Sequence, residues 1–281
     1  MIVTNKQGLP ESFVRFAQDS KRGFTPHRYS VTELLLPIRE IILNRQHVTE
    51  IEEDVVDMIP AMFGTAVHEL LEHFSPFDPK VLTEEPVEWK IGEDVVSGRI
   101  DVLDVNNSKI ADYKTCSVSK VMKQDFDDWY MQGLMYAYLV SRRAGAYIRH
   151  LEFYALMKDW SKFKSMTSSN YPSSAIYVWK RDLQDSDYDF IEAWLKERLD
   201  KINEYLGSKN LPECTDEEKW YTGTKYAVYK KHGDARAAIV CDTEEEAKGY
   251  LANKCPEGEL VVRKGDYLKC KYYCSCCKFC K

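Results

Sequence analysis

Two carboxylates and one lysine lie on adjacent segments of this 281-residue chain that have the alternating pattern of β-strands. Asp101 ends the segment 97–101, and Asp112 and Lys114 lie in the segment 110–114. Because side chains alternate along a strand, Asp112 and Lys114 share one face, and a hairpin can bring Asp101 alongside them. Two carboxylates held close in a partly buried site repel each other unless a cation binds between them. We therefore predict a site for Mg²⁺ or Mn²⁺, ions that prefer oxygen ligands.

This arrangement suits metal-assisted hydrolysis of a phosphodiester bond. A divalent ion lowers the pKa of a bound water, and the Lys114 ammonium can stabilise the charge that develops on the phosphate. An acid-x-lysine triplet is also common at exposed strand positions, where it forms an ordinary ion pair. The hydrolytic interpretation therefore depends on further residues that would complete the site.

Two helices add polar side chains in a suitable order along the chain. His68, which ends a G-x-x-x-H segment, precedes the strands and can supply a nitrogen ligand that favours Mn²⁺. Gln132 and Tyr136 are spaced i, i+4 on the helix after Lys114 and can hold the lysine or a phosphate. A further acid can join the site, and the sequence leaves three candidates open: Glu84, Glu85 and Glu88.

The elements that must position these residues follow from hydrophobic periodicity and from helix-breaking residues. Ser30 and Glu33 have the form of a capping box, so we predict a helix from Tyr29 to Leu43. The later predicted elements are helices over 63–74, 124–140 and 185–206 and strands over 87–91, 95–105, 109–114, 151–157 and 176–180. The predicted order up to residue 206 is therefore α, β, β, β, α, β, β, α.

With the order G-x-x-x-H, D, D-x-K and Q-x-x-x-Y, the chain resembles the RecB-type branch of the PD-(D/E)XK nuclease superfamily. That branch includes phage recombination exonucleases and CRISPR adaptation nucleases. The resemblance covers roughly residues 30 to 140. It implies an α/β fold with a PD-(D/E)XK restriction-endonuclease-like core, in which helices flank a central mixed sheet.

The resemblance also assigns expected roles to individual residues. It implies that the metal is bound by His68, Asp101, Asp112 and the backbone carbonyl of Tyr113. It implies that the catalytic set is Lys114, Asp112, Asp101, Gln132 and Tyr136. Ala111 stands where the name of the superfamily has proline, a position that is often degenerate in the family.

Six of the nine cysteines lie in the last 27 residues, which indicates thiolate ligands for a metal more than a disulfide framework. Three ligands are expected from the tail, with Cys214 or Cys255 as the fourth. The favoured set is Cys214, Cys270, Cys274 and Cys280, because the adjacent pair Cys276 and Cys277 cannot easily both point inward. Several RecB-type nucleases hold a [4Fe-4S] cluster through cysteines that follow the nuclease motifs. Those relatives usually take one ligand from before the motifs, and this chain has no cysteine before Cys116. Zn²⁺ therefore stays open beside the cluster.

A change of character after residue 211 predicts two domains, a nuclease core over 1–211 and a cysteine-rich C-terminal module over 212–281. The module is predicted as ββαβ, with a hairpin over 226–241, a helix capped by Thr243 and a strand over 259–263. Residues 254–281 carry seven Lys or Arg and three acids, and the basic residues are interleaved with Tyr267, Tyr272, Tyr273 and Phe279. Such a segment suits a single nucleic-acid strand with stacked bases, or alternatively a solvated lysine face around a structural metal.

Together these patterns predict a divalent-metal-dependent DNA nuclease, specifically an exonuclease of recombination, replication or DNA processing. Its expected substrate is single-stranded DNA or duplex ends, and its expected partners are a recombinase, an annealing protein or a helicase. The alternative is a non-catalytic nucleic-acid-binding or assembly protein that uses the cysteine module on a degenerate scaffold. The sequence has no apolar stretch long enough to span a bilayer and no export signal, so we expect no membrane and a cytoplasmic location, the host cytoplasm if viral.

Overall fold

The computed structural model describes residues 1–19, 23–75 and 78–280, and the chain divides into two units, Met1–Leu211 and Pro212–Lys281. The strands of the first unit are β1 (Ile2–Thr4), β2 (Arg28–Ser30), β3 (Glu52–Asp54), β4 (Val81–Ile91), β5 (Asp94–Asp104), β6 (Lys109–Cys116), β7 (His150–Met157) and β8 (Ile176–Asp182). Its helices are α1 (Glu11–Asp19), α2 (Val31–Leu34), α3 (Ile38–Gln46), α4 (Ile59–His73), α5 (Val118–Lys123), α6 (Asp127–Ala144), α7 (Lys162–Thr167) and α8 (Asp185–Tyr205).

The main sheet of the first unit has six strands in the order β2-β5-β6-β7-β8, with β4 paired to β5. Two of its pairings, β2 with β5 and β6 with β7, are parallel, and the others are antiparallel. The sheet is therefore mixed, and helices pack against it. These features confirm the predicted α/β core in which helices flank a central mixed sheet.

Helix α6 covers the face of the sheet that carries Asp112 and Lys114. It is buried along most of its length from Trp129 to Val140. Gly133 permits the close approach, because a Cβ there would lie 2.6 Å from Leu151 Cδ1. The register between β6 and β7 pairs Asp112 with Phe153, so the site residues of β6 point toward the same buried layer as the core of β7.

Pro37 divides the helix that the sequence predicted from Tyr29 to Leu43. Tyr29 lies in β2, Ser30 caps the short helix α2, and α3 begins directly after Pro37. The capping box is confirmed, since Ser30 Oγ accepts a hydrogen bond from Glu33 N at 3.1 Å and the Glu33 carboxylate accepts one from Ser30 N. A proline lacks the N–H that a continuous helix requires and restricts the residue before it. The prediction of one uninterrupted helix was therefore wrong.

The predicted helix over 124–140 begins later and is longer at its end. Gln124 has a φ of 56°, and this left-handed residue ends α5, after which α6 begins at Asp127. Helix α6 continues to Ala144 and ends at Gly145, also left-handed with a φ of 65°. The site residues on α6 keep their predicted helical spacing.

The second unit contains β9 (Lys225–Tyr229), β10 (Ile239–Cys241), α9 (Glu244–Lys254), β11 (Glu259–Arg263) and α10 (Leu268–Tyr272). Its three strands form an antiparallel sheet in the order β10-β9-β11. A small core of Val228, Cys241, Ala247 and Cys255 holds α9 against this sheet. Thr243 caps α9 by accepting a hydrogen bond from Glu246 N, as the sequence pattern predicted.

Within the described ranges, the structure contains no helix that combines the length and the apolar character needed to cross a membrane.

Candidate active site

Asp101 lies at a fork along one edge of β5. On that edge, pairing with β2 ends at Ser97 and pairing with β6 begins at Val102, so Asp101 falls between the two partner strands. Its carboxylate substitutes for the missing ladder partner, because Asp101 Oδ2 accepts a hydrogen bond from Tyr113 N at 2.7 Å. The fork therefore fixes the carboxylate beside the backbone of β6.

His68 reaches this fork from α4 and contacts two of the predicted metal ligands. Its Nε2 donates to the backbone carbonyl of Tyr113 at 2.8 Å, and its Nδ1 lies 3.3 Å from Asp101 Oδ1. The hydrogen bond with Asp101 raises the pKa of His68, and burial of the ring opposes that change. A divalent cation and the second imidazole proton would compete for the same nitrogen and oxygen atoms.

Glu84 is the acid of β4 that joins the site. The pairing of β4 with β5 is interrupted between Thr83–Val102 and Glu85–Ile100, so Glu84 and Asp101 both lie at the interruption. The φ of 50° at Glu84 is unusual for a residue other than glycine. Ligand atoms of His68, Glu84 and Asp101 all lie within 4.8 Å of one another. Burial raises the pKa of Glu84, and the nearby Asp101 charge raises it further. These carboxylates repel each other and so favour a cation.

The other two acids that the sequence left open face different partners. Glu85 forms an ion pair with Arg143 at 3.0 Å, and Glu88 forms one with Arg28 at 2.5 Å. The sequence could not separate the three because the special backbone conformation of Glu84 has no signature in the residue type. The structure therefore singles out Glu84.

Asp112 and Lys114 form a buried ion pair on β6. Lys114 Nζ lies 2.5 Å from Asp112 Oδ2, and the Asp112 side chain is 3% exposed. Burial raises the pKa of Asp112 to about 6, although the Lys114 ammonium lowers it and the Asp101 charge raises it. Asp112 is outside the tight group of His68, Glu84 and Asp101 that the described residues form. The structure thus shows Asp112 as the partner of Lys114.

Gln132 and Tyr136 lie beside the acids on the buried face of α6. Gln132 Nε2 donates a hydrogen bond to Tyr136 Oη at 3.2 Å. Burial raises the pKa of Tyr136, and the charges of Asp112, Asp101 and Glu84 add to this effect. Tyr136 also packs against Gly98, where a Cβ would lie 2.5 Å from its ring. The pair therefore forms one wall of the site.

An open pocket of about 530 Å³ leads to these residues. Its lining residues are Gly64, Thr65, His68, Glu69, Glu72, Glu84 and Arg99. Arg99 Nη1 lies 3.7 Å from Glu84 Oε2 and brings a guanidinium into an otherwise acidic pocket. Arg99 and Glu72 were not predicted from the sequence. Side chains alternate along β5, so the position of Arg99 on the same face as Asp101 was a signal that could have identified it.

The predicted cysteine ligands lie in the second unit. Burial raises the pKa of the Cys270 thiol, and the proximity of Cys274 and Cys280 raises it further. Burial also raises the pKa of the Cys277 thiol, and the nearby Cys274 and Cys280 thiols raise it further. Cys270, Cys274, Cys277 and Cys280 are therefore near enough to affect one another's pKa, Cys274 Sγ lies 3.5 Å from the buried Cys276 Sγ, and Cys214 is half-buried in the loop that precedes β9. A metal held by Cys214, Cys270, Cys274 and Cys280 stays a prediction.

A sequence model of the PD-(D/E)XK nuclease superfamily matches residues 76–216, half of the chain. The chain belongs to the PD-(D/E)XK nuclease superfamily. This membership, together with the His68, Glu84 and Asp101 cluster, indicates a metal-dependent nuclease. The predicted superfamily is confirmed, and the assignment to its RecB-type branch stays a prediction.

Among solved structures, the crystal structure of SSO0001 is similar to this PD-(D/E)XK chain, with a TM-score of 0.49 and 16% sequence identity. The match covers 75% of this chain and 89% of that chain. No curated protein sequence matches this chain.

Proposed function

We propose that this chain is a divalent-metal-dependent DNA exonuclease. The observation that carries the proposal is the convergence of His68, Glu84 and Asp101 on one point of the sheet. One imidazole and two carboxylates suit Mn²⁺ or Mg²⁺, and the Tyr113 carbonyl adds an oxygen where His68 already contacts it. The repulsion between the two acids gives the site a reason to bind a cation.

Each protein group then has a distinct role at the proposed site. His68, Glu84, Asp101 and the Tyr113 carbonyl would hold the metal, and Asp112 remains a predicted ligand through its second oxygen. When bound, the ion would lower the pKa of a water and neutralise charge on the phosphodiester.

Lys114 supplies the positive charge that the protein itself contributes to the reaction. Asp112 orients the Lys114 ammonium through the 2.5 Å ion pair, so that Lys114 can stabilise negative charge on a phosphate oxygen. Gln132 and Tyr136 form the wall behind this pair and limit its movement.

The choice of DNA, of exonuclease action and of a role in recombination, replication or DNA processing rests on the resemblance in motif order. A cytoplasmic enzyme of this kind would act on single strands or duplex ends with a recombinase, an annealing protein or a helicase as partner. The alternative of a non-catalytic binding protein is disfavoured by the intact acids and lysine.

The test uses end-labelled linear DNA and covalently closed circular DNA, each incubated with Mg²⁺ or Mn²⁺. We expect the linear DNA to be degraded, the circle to survive and EDTA to stop the reaction. Cleavage of the circle would make the enzyme an endonuclease. If neither DNA is cut with either metal, the nuclease proposal is wrong and the binding-protein alternative replaces it.

For the second unit we propose a metal held by Cys270, Cys274 and Cys280, with Cys214 or Cys277 as the fourth ligand. Thiols that raise one another's pKa favour a shared cation over mutual repulsion. Iron and zinc analysis of anaerobically purified protein, with absorbance near 400 nm, distinguishes a [4Fe-4S] cluster from Zn²⁺. Zinc without iron would exclude the cluster, and neither metal would refute the site.

A further inference from the structure

Four aromatic side chains of the second unit are exposed to solvent. The exposed fractions are 49% for Trp220, 41% for Tyr267, 64% for Tyr272 and 68% for Tyr273. Rings of this size normally contribute to a core, and a group of them at the surface marks a place where another molecule binds.

These four rings lie on the loop before β9 and on the segment 267–273, and together we call them the aromatic face. The rings of Trp220 and Tyr273 have centroids 5.1 Å apart. The loop before β9 is tied to the start of α10 by backbone hydrogen bonds, from Leu268 N to Trp220 O and from Lys269 N to Lys219 O. The aromatic face therefore combines two segments that are distant in sequence.

Trp220 is held in an unusual backbone conformation. Its φ of 54° lies in the left-handed region, which a bulky side chain rarely adopts. A glycine at this position would avoid the strain, and a polar residue would avoid the exposure of the indole. Strain and exposure together at one residue point to binding, since neither improves the stability of the fold.

Lysines lie next to the rings of the aromatic face. Lys219 Nζ is 4.5 Å from the centroid of Tyr267, Lys269 Nζ is 5.9 Å from that of Trp220, and Lys271 Nζ is 5.3 Å from that of Tyr272. Residues 263–280 contain five Lys or Arg against one acid.

Two acids contact these lysines at the exposed surface. Lys219 pairs with Asp216 at 3.4 Å, and Lys271 pairs with Asp266 at 3.5 Å. Exposed ion pairs of this length contribute little to stability, so a phosphate can replace either carboxylate. The charge beside the rings is therefore available to an anionic ligand.

We propose that the aromatic face binds single-stranded DNA, with bases stacked on the rings and phosphates against the lysines. The choice of DNA rests on the proposed nuclease function, and the choice of a single strand rests on the face itself. In a duplex the bases already stack on each other, whereas an open strand presents π-faces that the rings can cover.

The test measures binding by the full chain that carries Lys114→Gln, so that the probe is not cut. The probes are a fluorescent oligonucleotide of twenty thymidines and an abasic strand of equal length and charge. We expect the thymidine strand to bind at least tenfold more tightly, because only it can stack. Equal affinity for the two strands would overturn the proposal.

Variants locate the binding on the aromatic face. Trp220→Gly relieves the backbone strain while removing the ring, and we expect it to weaken binding of the thymidine strand about tenfold. Tyr272→Ala should weaken binding through an independent ring, and Trp220→Phe should retain most of the affinity. The matched control is Tyr147→Ala, since Tyr147 is 52% exposed and lies beside Arg149 in the first unit.

Iron and zinc contents of each variant are measured alongside, to show that the cysteines are undisturbed. Wild-type affinity in both Trp220→Gly and Tyr272→Ala would place the strand elsewhere and overturn the proposal. Failure of the nuclease proposal is seen separately, as the absence of cleavage by the wild-type chain. Binding of the thymidine strand that depends on Trp220 would stand in either case.

Discussion

Two carboxylates on neighbouring strands of the main sheet, one buried and one partly buried, have pKa values shifted in opposite directions. The side chain of Asp112 on β6 is 3% exposed, and that of Glu152 on β7 is 12% exposed. Burial raises the pKa of Asp112 to about 6, whereas the pKa of Glu152 is lowered to about 2. The two acids therefore differ in the direction of their pKa shift as well as in burial.

The deeper burial of Asp112 and the larger number of groups that compensate Glu152 together explain the difference. Burial alone would raise the pKa of Glu152, but hydrogen bonds from Lys180, Tyr154 and Lys109 outweigh it. Their contacts with the carboxylate measure 2.8, 2.6 and 3.1 Å. Asp112 has one lysine contact, Lys114, and a second acid, Asp101, nearby, and His68 adds a smaller positive effect.

Glu152 and the acids near the fork of β5 and β6 therefore have different roles. Glu152 is fully compensated by its own chain, so its charge contributes to stability. The acids near the fork of β5 and β6 carry more negative charge than the chain compensates, so they can bind a cation. We therefore expect changes at Glu152 to alter stability without altering activity, and changes at the acids near the fork to alter activity.

The largest expected effect is the loss of activity in Lys114→Gln. The amide can still donate to Asp112, so the fold is retained while the positive charge is lost. We expect kcat to fall by about 10²–10³-fold or more, as for removal of one group that stabilises the transition state. The measurement is the rate of linear DNA degradation, with the unfolding temperature as the check on folding. Lys123→Ala, which removes an exposed lysine of α5, is the control. Activity of Lys114→Gln close to wild type would contradict the assignment.

Glu84→Gln should weaken metal binding and stabilise the protein. It removes a predicted ligand, so the Mn²⁺ concentration for half-maximal activity should rise about tenfold or more. It also removes repulsion with Asp101, so the unfolding temperature in EDTA should rise slightly.

The matched control for Glu84→Gln is Glu88→Gln, which alters an acid of the same strand that pairs with Arg28. That variant should leave the Mn²⁺ requirement unchanged. An equal shift in both variants would mean that Glu84 acts only through general charge.

Glu152→Gln should have the reverse profile, with lower stability and unchanged cleavage. Lys109 and Lys180 would lose their shared carboxylate, and we expect the free energy of unfolding to fall by about 2 kcal/mol. Denaturant unfolding measures the change, and the DNA assay checks activity. A loss of activity without a loss of stability would mean that Glu152 contributes to cleavage, and the assignment of a purely stabilising role would be wrong.

The stability that Glu152 contributes should also depend on pH. Its folded-state pKa of about 2 lies below the ordinary value of 4.5, so its charge stabilises the fold above pH 4.5. This contribution decreases as the pH falls from 4.5 toward 2. The free-energy difference between wild type and Glu152→Gln should therefore shrink over that interval. A difference of the same size at pH 6 and at pH 2.5 would contradict the lowered pKa.

Local sequence patterns predicted the parts of this molecule that depend on near neighbours. The alternation around Asp112 and Lys114 and the capping box of Ser30 both appear in the structure. The break at Pro37 was missed because the hydrophobic periodicity continues across it. Proline nevertheless carries a rule that could have found it.

Features that depend on distant pairing could not be predicted in the same way. Lys109 is 43 residues from Glu152, and only the β6–β7 pairing brings the two together. Glu84 was one of three candidates because its position relative to Asp101 depends on the strand register. The fork that leaves Asp101 between two partner strands depends on the pairing of β5 with both β2 and β6.

The most direct measurement is calorimetric titration of Mn²⁺ into the wild-type chain, Asp101→Asn and Glu152→Gln. Asparagine at position 101 can still accept the hydrogen bond from Tyr113 N, so the fork is preserved while the charge is lost. Ions bound by the cysteines are common to all three proteins and cancel in the comparison. We expect Mn²⁺ binding by the wild type and by Glu152→Gln and its loss in Asp101→Asn. Wild-type binding by Asp101→Asn, or no binding by the wild type, would contradict a metal site at the fork.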